Sequence, residues 1–170
     1  MKEPESPVPY RAPAGIRVGH IHLKVADLER ALSFYRDLLG FEITQRYGQE
    51  AVFLAADRYH HHIGLNIWYS KNAPPAPRMA AGLFHTAFLY PSRVELARIY
   101  GRLLQADYPL TGAADHGVSE ALYLDDPDGN GVELYWDRPP ELWPRQADGS
   151  LHMYTRPLDL SGLLRTLEKA

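Results

Sequence analysis

The sequence predicts an α+β protein made of two βαβββ modules, paired so that they form a curved, cup-like mixed sheet with the helices outside. Three observations predict it. Short runs that alternate with period 2 are interleaved with two stretches of helical period. The same order of elements occurs twice. Between the two occurrences lies "SKNAPPAPRMAAG", rich in Pro and Ala and without a usable period, which reads as a linker.

The elements follow in order. "MKEPESPVPYRAP" is polar and Pro-rich with no apolar h-region, so residues 1–15 read as an N-terminal arm and not as a signal peptide. The first module occupies residues 16–70. "IRVGHIHLKV" alternates and predicts a strand over 16–25. In "ADLERALSFYRDLLG" the period changes: Leu28, Ala31, Leu32, Tyr35, Leu38 and Leu39 form one helical stripe, with Asp27 as N-cap and Gly40 as the C′ residue. Strands are expected next over about 42–46, 51–55 and 61–69. The linker takes residues 71–82, and the second module residues 83–138. "LFHTAFLY" is a strand. "PSRVELARIYGRLLQ" is a helix with Leu96, Ile99, Tyr100, Leu103 and Leu104 on one face, and Ser92 and Glu95 have capping-box spacing. "SEALYLDD" and "GVELYWD" are strands joined by a turn over 127–131. A Pro/Trp-rich tail, residues 139–170, ends in a short helix starting near Ser161.

Laying His20 on His85 brings Tyr35 onto Tyr100, Leu38 onto Leu103 and Leu39 onto Leu104 with no gap, so the unit is duplicated. Each copy leaves one apolar sheet face bare. Pairing the sheets edge to edge would cover it and enclose a cavity beside the first strand of each copy.

Composition narrows the function classes. The 170 residues are 45% hydrophobic and 23% charged, as in an ordinary globular protein. A net charge of -3, without a Lys/Arg cluster, argues against a nucleic-acid partner. Zero cysteines exclude disulfides, thiolate ligands and a Cys nucleophile, and fit a cytoplasmic location. No apolar run reaches the roughly 18 residues of a membrane span, so no membrane partner is expected.

Chemistry points to histidines and one acid. His20 and His85 hold equivalent places in the two first strands, and Glu133 lies in the last strand of the second copy. Two imidazoles and a carboxylate from three strands make a facial triad, which leaves cis positions open on a divalent ion. His22 shares a face with His20 and is read as a neighbour of that set, not a member. In "YHHHIGLNIW" the three adjacent histidines alternate faces, so they cannot converge on one ion without breaking the strand. "DPDGNGVELYWD" has EF-hand spacing at Asp126, Asp128, Asn130, Gly131 and Asp137. Pro127, Glu133 in place of the apolar eighth residue, and the strand-like "VELYW" make it a hairpin turn instead.

With the repeat, "GHIHLKVADLERALSFYRDLLGFEI" and "YLDDPDGNGVELYWDRP" in view, the chain resembles the vicinal oxygen chelate (glyoxalase/bleomycin resistance/dioxygenase) superfamily. The second copy is most similar to the catalytic half of extradiol ring-cleaving, catechol 2,3-dioxygenase-like members. The resemblance implies that His20, His85 and Glu133 are metal ligands, most often for Fe(II), with Mn, Zn, Ni and Co as alternatives. It places His116, from "DHGVSEALYL", as an active-site histidine and Tyr123 as the active-site tyrosine. It assigns the acid–base histidine to His61 by gapless comparison, whereas strand parity favours His62, so both are carried. Gly64 stands where glyoxalase-like members supply a fourth ligand. Glycine cannot ligate, which favours O2 activation. The function implied is ring cleavage of a catechol-like diol with O2. A metal-dependent lyase, isomerase or epimerase, or a non-catalytic drug-binding protein, is the alternative. Typical extradiol enzymes carry two such double modules and this sequence one, so a homodimer is expected.

Overall fold

The computed structural model describes residues 9–169. Residues 1–8 of the expected arm lie outside the described residues, and 9–20 carry no helix or strand. The first module is β1 (Ile21–Lys24), α1 (Leu28–Leu32), β2 (Glu42–Tyr47), β3 (Ala51–Ala55) and β4 (Ile63–Asn66). The second is β5 (His85–Leu89), α2 (Arg93–Gln105), β6 (Gly112–Asp115), β7 (Ser119–Asp125) and β8 (Gly131–Asp137). After them come a two-residue strand, β9 (Arg156–Pro157), and α3 (Leu160–Leu164).

The duplication extends to the hydrogen bonding. The sheet orders are β1-β4-β3-β2 and β5-β8-β7-β6-β9. In each module the first strand pairs in parallel with the last, and the remaining pairs within the module are antiparallel. The α+β class and the two βαβββ modules are therefore the expected ones, with an addition, β9 from the tail, which extends the second sheet, and with a correction: the modules form two open mixed sheets and not one sheet paired edge to edge. Among the described residues the two sheets share no hydrogen-bonded edge. They are joined through one continuous apolar core, to which Leu32, Phe34 and Tyr35 of the first module and Leu96, Ile99, Leu122 and Leu124 of the second all contribute.

Several boundaries differ from those expected, each for a local reason. β1 begins at Ile21, not at residue 16, because its parallel partner β4 begins at Ile63 and residues 56–60 and 62 bend away. His60, His61 and His62 thus precede the strand, and the alternation argument does not govern them. β6 is the strand that the second βαβββ module requires but that no run marks: "TGAAD" lacks the β-branched and aromatic residues typical of a strand. The first helix is capped by the Asp27 carboxylate, which accepts from the Arg30 N–H, as expected. Beyond Leu32 it widens into a π-helical turn over Ser33–Leu38, where the Leu39 N–H donates to the Phe34 carbonyl. The extra residue per turn rotates Phe34 into the core and leaves Leu38 only partly buried. Gly40 then takes φ +86°, the left-handed C′ conformation. On α2 the buried face is Leu96, Ala97, Ile99, Tyr100 and Leu103, while Leu104 is exposed on the final turn.

Polar ties lock the modules together. The Arg102 guanidinium donates to the carbonyls of Leu38 (3.0 Å) and Asp37 (2.7 Å), closing the end of the first helix from the second. The turn between β7 and β8 is tied the other way. The hydroxyl of Tyr35, 0% exposed, donates to Asp126 Oδ2 at 2.9 Å, and Arg30 pairs with Asp128. Asp126 Oδ1 accepts from the N–H groups of Asp128 (2.9 Å) and Asn130 (2.8 Å). Both oxygens of Asp126 and Oδ1 of Asp128 thus hold the hairpin and the module contact, in keeping with a structural turn, while Asp128 Oδ2 is buried without a hydrogen-bond partner among the described residues.

Candidate active site

The second module builds a continuous polar chain from its own register. Tyr123 of β7 and Glu133 of β8 are cross-strand partners, and Glu133 lies opposite Ala87, two residues along β5 from His85. Successive side chains alternate faces, so His85 and Glu133 share one face with Tyr123. His85 Nε2 stands 2.9 Å from Glu133 Oε2. The Tyr123 hydroxyl donates to Glu133 Oε1 at 3.0 Å, and His116 Nε2 lies 2.7 Å from the same hydroxyl. Four of the residues expected from the sequence are brought into contact in this way. Glu133 is well shielded, its side chain 12% exposed. Burial first, then the charge and hydrogen bond of Glu133, push the Tyr123 phenol well above its ordinary value, so it stays protonated at neutral pH.

His20 comes from the other module. It lies just before β1 and, with His62 and His85, lines a cleft of about 880 Å³ between the two first strands. Its ring packs against His61, with centroids 4.4 Å apart. Among the described residues no three His, Asp or Glu side chains converge as a ligand set. The donors present do suit a divalent first-row ion, which favours imidazole nitrogen with carboxylate oxygen. His85 and Glu133 already face each other, and His85 Nδ1 is buried without a hydrogen-bond partner. The fit therefore holds for two ligands, His85 and Glu133, and His20 lines the cleft together with His85.

The histidine triplet divides. His62 Nδ1 accepts from the Ala56 N–H at 3.3 Å and serves the strand entrance. His61 packs between His20 and Phe53, and its Nδ1 lies 2.7 Å from His60 Nδ1. Burial first, then the neighbouring imidazoles of His20, His60, His22 and His62, hold His61 below the usual histidine range. It is therefore largely a neutral base at pH 7.

Register also explains Gly64. In the parallel ladders His22 pairs with Gly64 as Ala87 pairs with Glu133. A Cβ on Gly64 would meet the His22 ring at 2.9 Å. The first module thus carries a small residue where the second carries the acid, and the His22 imidazole, flanked by Phe53 and Trp68, covers the space. Two tail residues touch His116: Tyr154, which ends the stretch "ELWPRQADGSLHMY" whose position after the second module makes it a candidate wall of the pocket, and Thr155, which carries no motif.

Comparison with known proteins agrees with this architecture. The chain is 38% identical over 148 residues to the catechol-2,3-dioxygenase of Bacillus subtilis, covering 86% of this chain and 50% of that protein. It is 34% identical over 122 residues to biphenyl-2,3-diol 1,2-dioxygenase 3 of Rhodococcus globerulus, covering 71% and 63%. The chain therefore spans about half to two-thirds of the length of these relatives. Its fold is similar to that of a glyoxalase/dioxygenase from Nostoc punctiforme, with a TM-score of 0.62 at 18% identity, over 79% of this chain and 100% of that one. The Glyoxalase/Bleomycin resistance protein/Dioxygenase superfamily matches residues 17–134, which span both modules and all three expected ligands, and the chain belongs to that superfamily.

Proposed function

We propose that this protein is a metal-dependent dioxygenase of the extradiol type, opening the ring of a catechol-like diol with O2. The observation that carries the reading is the unbroken contact chain His85–Glu133–Tyr123–His116, which joins two metal donors to two proton-handling groups. The two dioxygenase relatives support the reaction class.

His85 and Glu133 would hold the ion, with His20 completing the set from the facing module. Fe(II) is the metal this reading favours. Bound there, it supplies Lewis acidity and a common docking point for two small reactants. The chain's own residues manage protons and orientation. His61, kept neutral, takes the proton of a diol hydroxyl at Nε2, since its Nδ1 is turned to His60. Tyr123 keeps its proton and donates to an oxygen beside it, while His116 bonds to a substrate oxygen from the other side. Gly64 would add no fourth protein ligand.

The test is direct. Protein loaded anaerobically with Fe(II) is mixed with a panel of catechols, and air is then admitted. Oxygen uptake with a yellow ring-opened product is expected, and its loss in Glu133→Ala. No uptake across the panel from protein that does bind Fe(II) sinks the reading. Turnover of a carbonyl or enediolate substrate without O2 would point instead to a lyase or isomerase.

A further inference from the structure

The tail beyond the second module reaches the site through its backbone. Residues 143–156 lie outside the stretch matched by the superfamily, 17–134. They double back as a short hairpin: Arg145 bridges Leu151, and the His152 N–H donates to the Pro144 carbonyl at 2.8 Å. Both ends are fastened. The Trp143 indole N–H donates to the Arg138 carbonyl at 2.7 Å, and β9 pairs with β6 through Asp115 and Ala114.

So held, the hairpin sits on His116 and Gly117. Gly117 has φ +79°, and a Cβ there would come within 2.7 Å of the Tyr154 ring and 2.8 Å of Pro144. Conformation and space both demand glycine. The Arg156 guanidinium covers the other part of the Tyr154 ring, 4.2 Å from its centroid. This seating brings the Tyr154 carbonyl oxygen to 3.0 Å from His116 Nδ1, with Thr155 Oγ1 at 3.2 Å from the same nitrogen. The Tyr154 N–H donates to the His116 carbonyl at 3.3 Å.

A carbonyl oxygen only accepts, whereas a threonine hydroxyl donates or accepts. A bare Nδ1 lone pair facing that carbonyl would be repelled, so the carbonyl decides where the proton sits. We propose that residues 143–156 are a positioning element which, through the Tyr154 carbonyl, fixes neutral His116 as its Nδ1–H tautomer and aims Nε2 as an acceptor toward Tyr123 and the substrate. An acceptor Nε2 requires the single Tyr123 proton to turn from Glu133 Oε1, at 3.0 Å, to His116 Nε2, at the shorter 2.7 Å; if Glu133 keeps it, Nε2 must carry a proton of its own, and the ring is the Nε2–H form. The catalytic value of this arrangement rests on the dioxygenase reading; the tautomer does not.

The experiment is histidine-side-chain NMR on the full, metal-free, 15N-labelled chain, at a pH about two units above the ordinary histidine value. His116 is assigned by its loss in His116→Gln. A protonated, pyrrole-like Nδ1 and a pyridine-like Nε2 are expected. Tyr154→Ala, which removes the ring seat and the arginine clamp, moves the population toward the Nε2–H form preferred by free imidazole. Gly117→Ala does the same by lifting the hairpin, and Thr155→Val leaves the tautomer unchanged. An Nε2–H ring in the parent protein overturns the proposal. So does an unchanged Nδ1–H ring in folded Tyr154→Ala and Gly117→Ala, or a tautomer switch in Thr155→Val. Because the readout needs neither metal nor turnover, an inactive protein with the expected tautomer refutes only the dioxygenase reading, and an active one with the opposite tautomer refutes only this inference.

Discussion

Gly131 is the ladder partner of His85 on the same sheet face, and replacing it with alanine crowds the base of that histidine. A Cβ there would lie 3.1 Å from His85 Cβ and 3.3 Å from His85 Cα, and it would overlap the Phe84 carbonyl oxygen. All three are backbone or Cβ atoms, so no side-chain tip can swing aside. Restoring an ordinary carbon–oxygen contact of about 3.3–3.6 Å requires the start of β5 to move by roughly 1 Å. Overpacking of this kind costs about 1–3 kcal/mol, which for a chain of this size lowers Tm by roughly 2–12 °C. The functional loss is larger, because His85 is drawn away from Glu133, and a misplacement of about 1 Å in a positioned group costs on the order of 100-fold. Calorimetric titration with Mn(II) or Fe(II), an oxygen electrode and a thermal melt read these three effects. Gly112→Ala is the control, since its Cβ would meet Tyr123 at 3.7 Å, an ordinary contact. A Gly131→Ala protein with wild-type metal affinity and rate would refute the reasoning, as would equal damage from Gly112→Ala.

Further outcomes are expected. Glu133→Ala or His85→Ala weakens divalent-metal binding by at least about 100-fold in the same titration while the fold persists by circular dichroism. Asp126→Asn leaves metal affinity intact but destabilises the chain by about 2 kcal/mol in urea, and millimolar calcium leaves the parent's Tm unmoved, because these carboxylates hold a turn. Tyr35→Phe removes a buried hydrogen bond to a carboxylate and costs about 1.5–3 kcal/mol. The Tyr35 phenol is pushed well above its ordinary value by burial first, then by the charge and hydrogen bond of Asp126. An unfolded tyrosine ionises near pH 10, so this stabilisation is complete below about pH 10 and is lost as pH rises beyond it. The fall in stability above that pH is therefore shallower in Tyr35→Phe. An equally steep fall would show that Tyr35 is not the group responsible.

The elements and their repetition were legible in the sequence because they depend on local periodicity and caps. Asp27, Gly40, Ser92 and Glu95 behave as their residue types dictate, whatever lies across the core. The pairing of His85 with Glu133 was legible for a related reason: duplication equates His85 with His20, and strand alternation sets which side chains share a face. What local pattern leaves open is where pairing stops. Alternation continues back to residue 16, yet β1 waits for Ile21, because a strand lasts only as long as its partner.

The sequence by itself determined two βαβββ modules and the residue types able to hold a metal. The tertiary structure alone decided that His61 leans on His20 while His62 serves a backbone N–H, and that His22 covers Gly64. It also decided that a tail carbonyl reaches His116. Periodicity specifies the face on which a side chain emerges, but these contacts arise between segments distant along the chain, and only the packed core sets which of them meet.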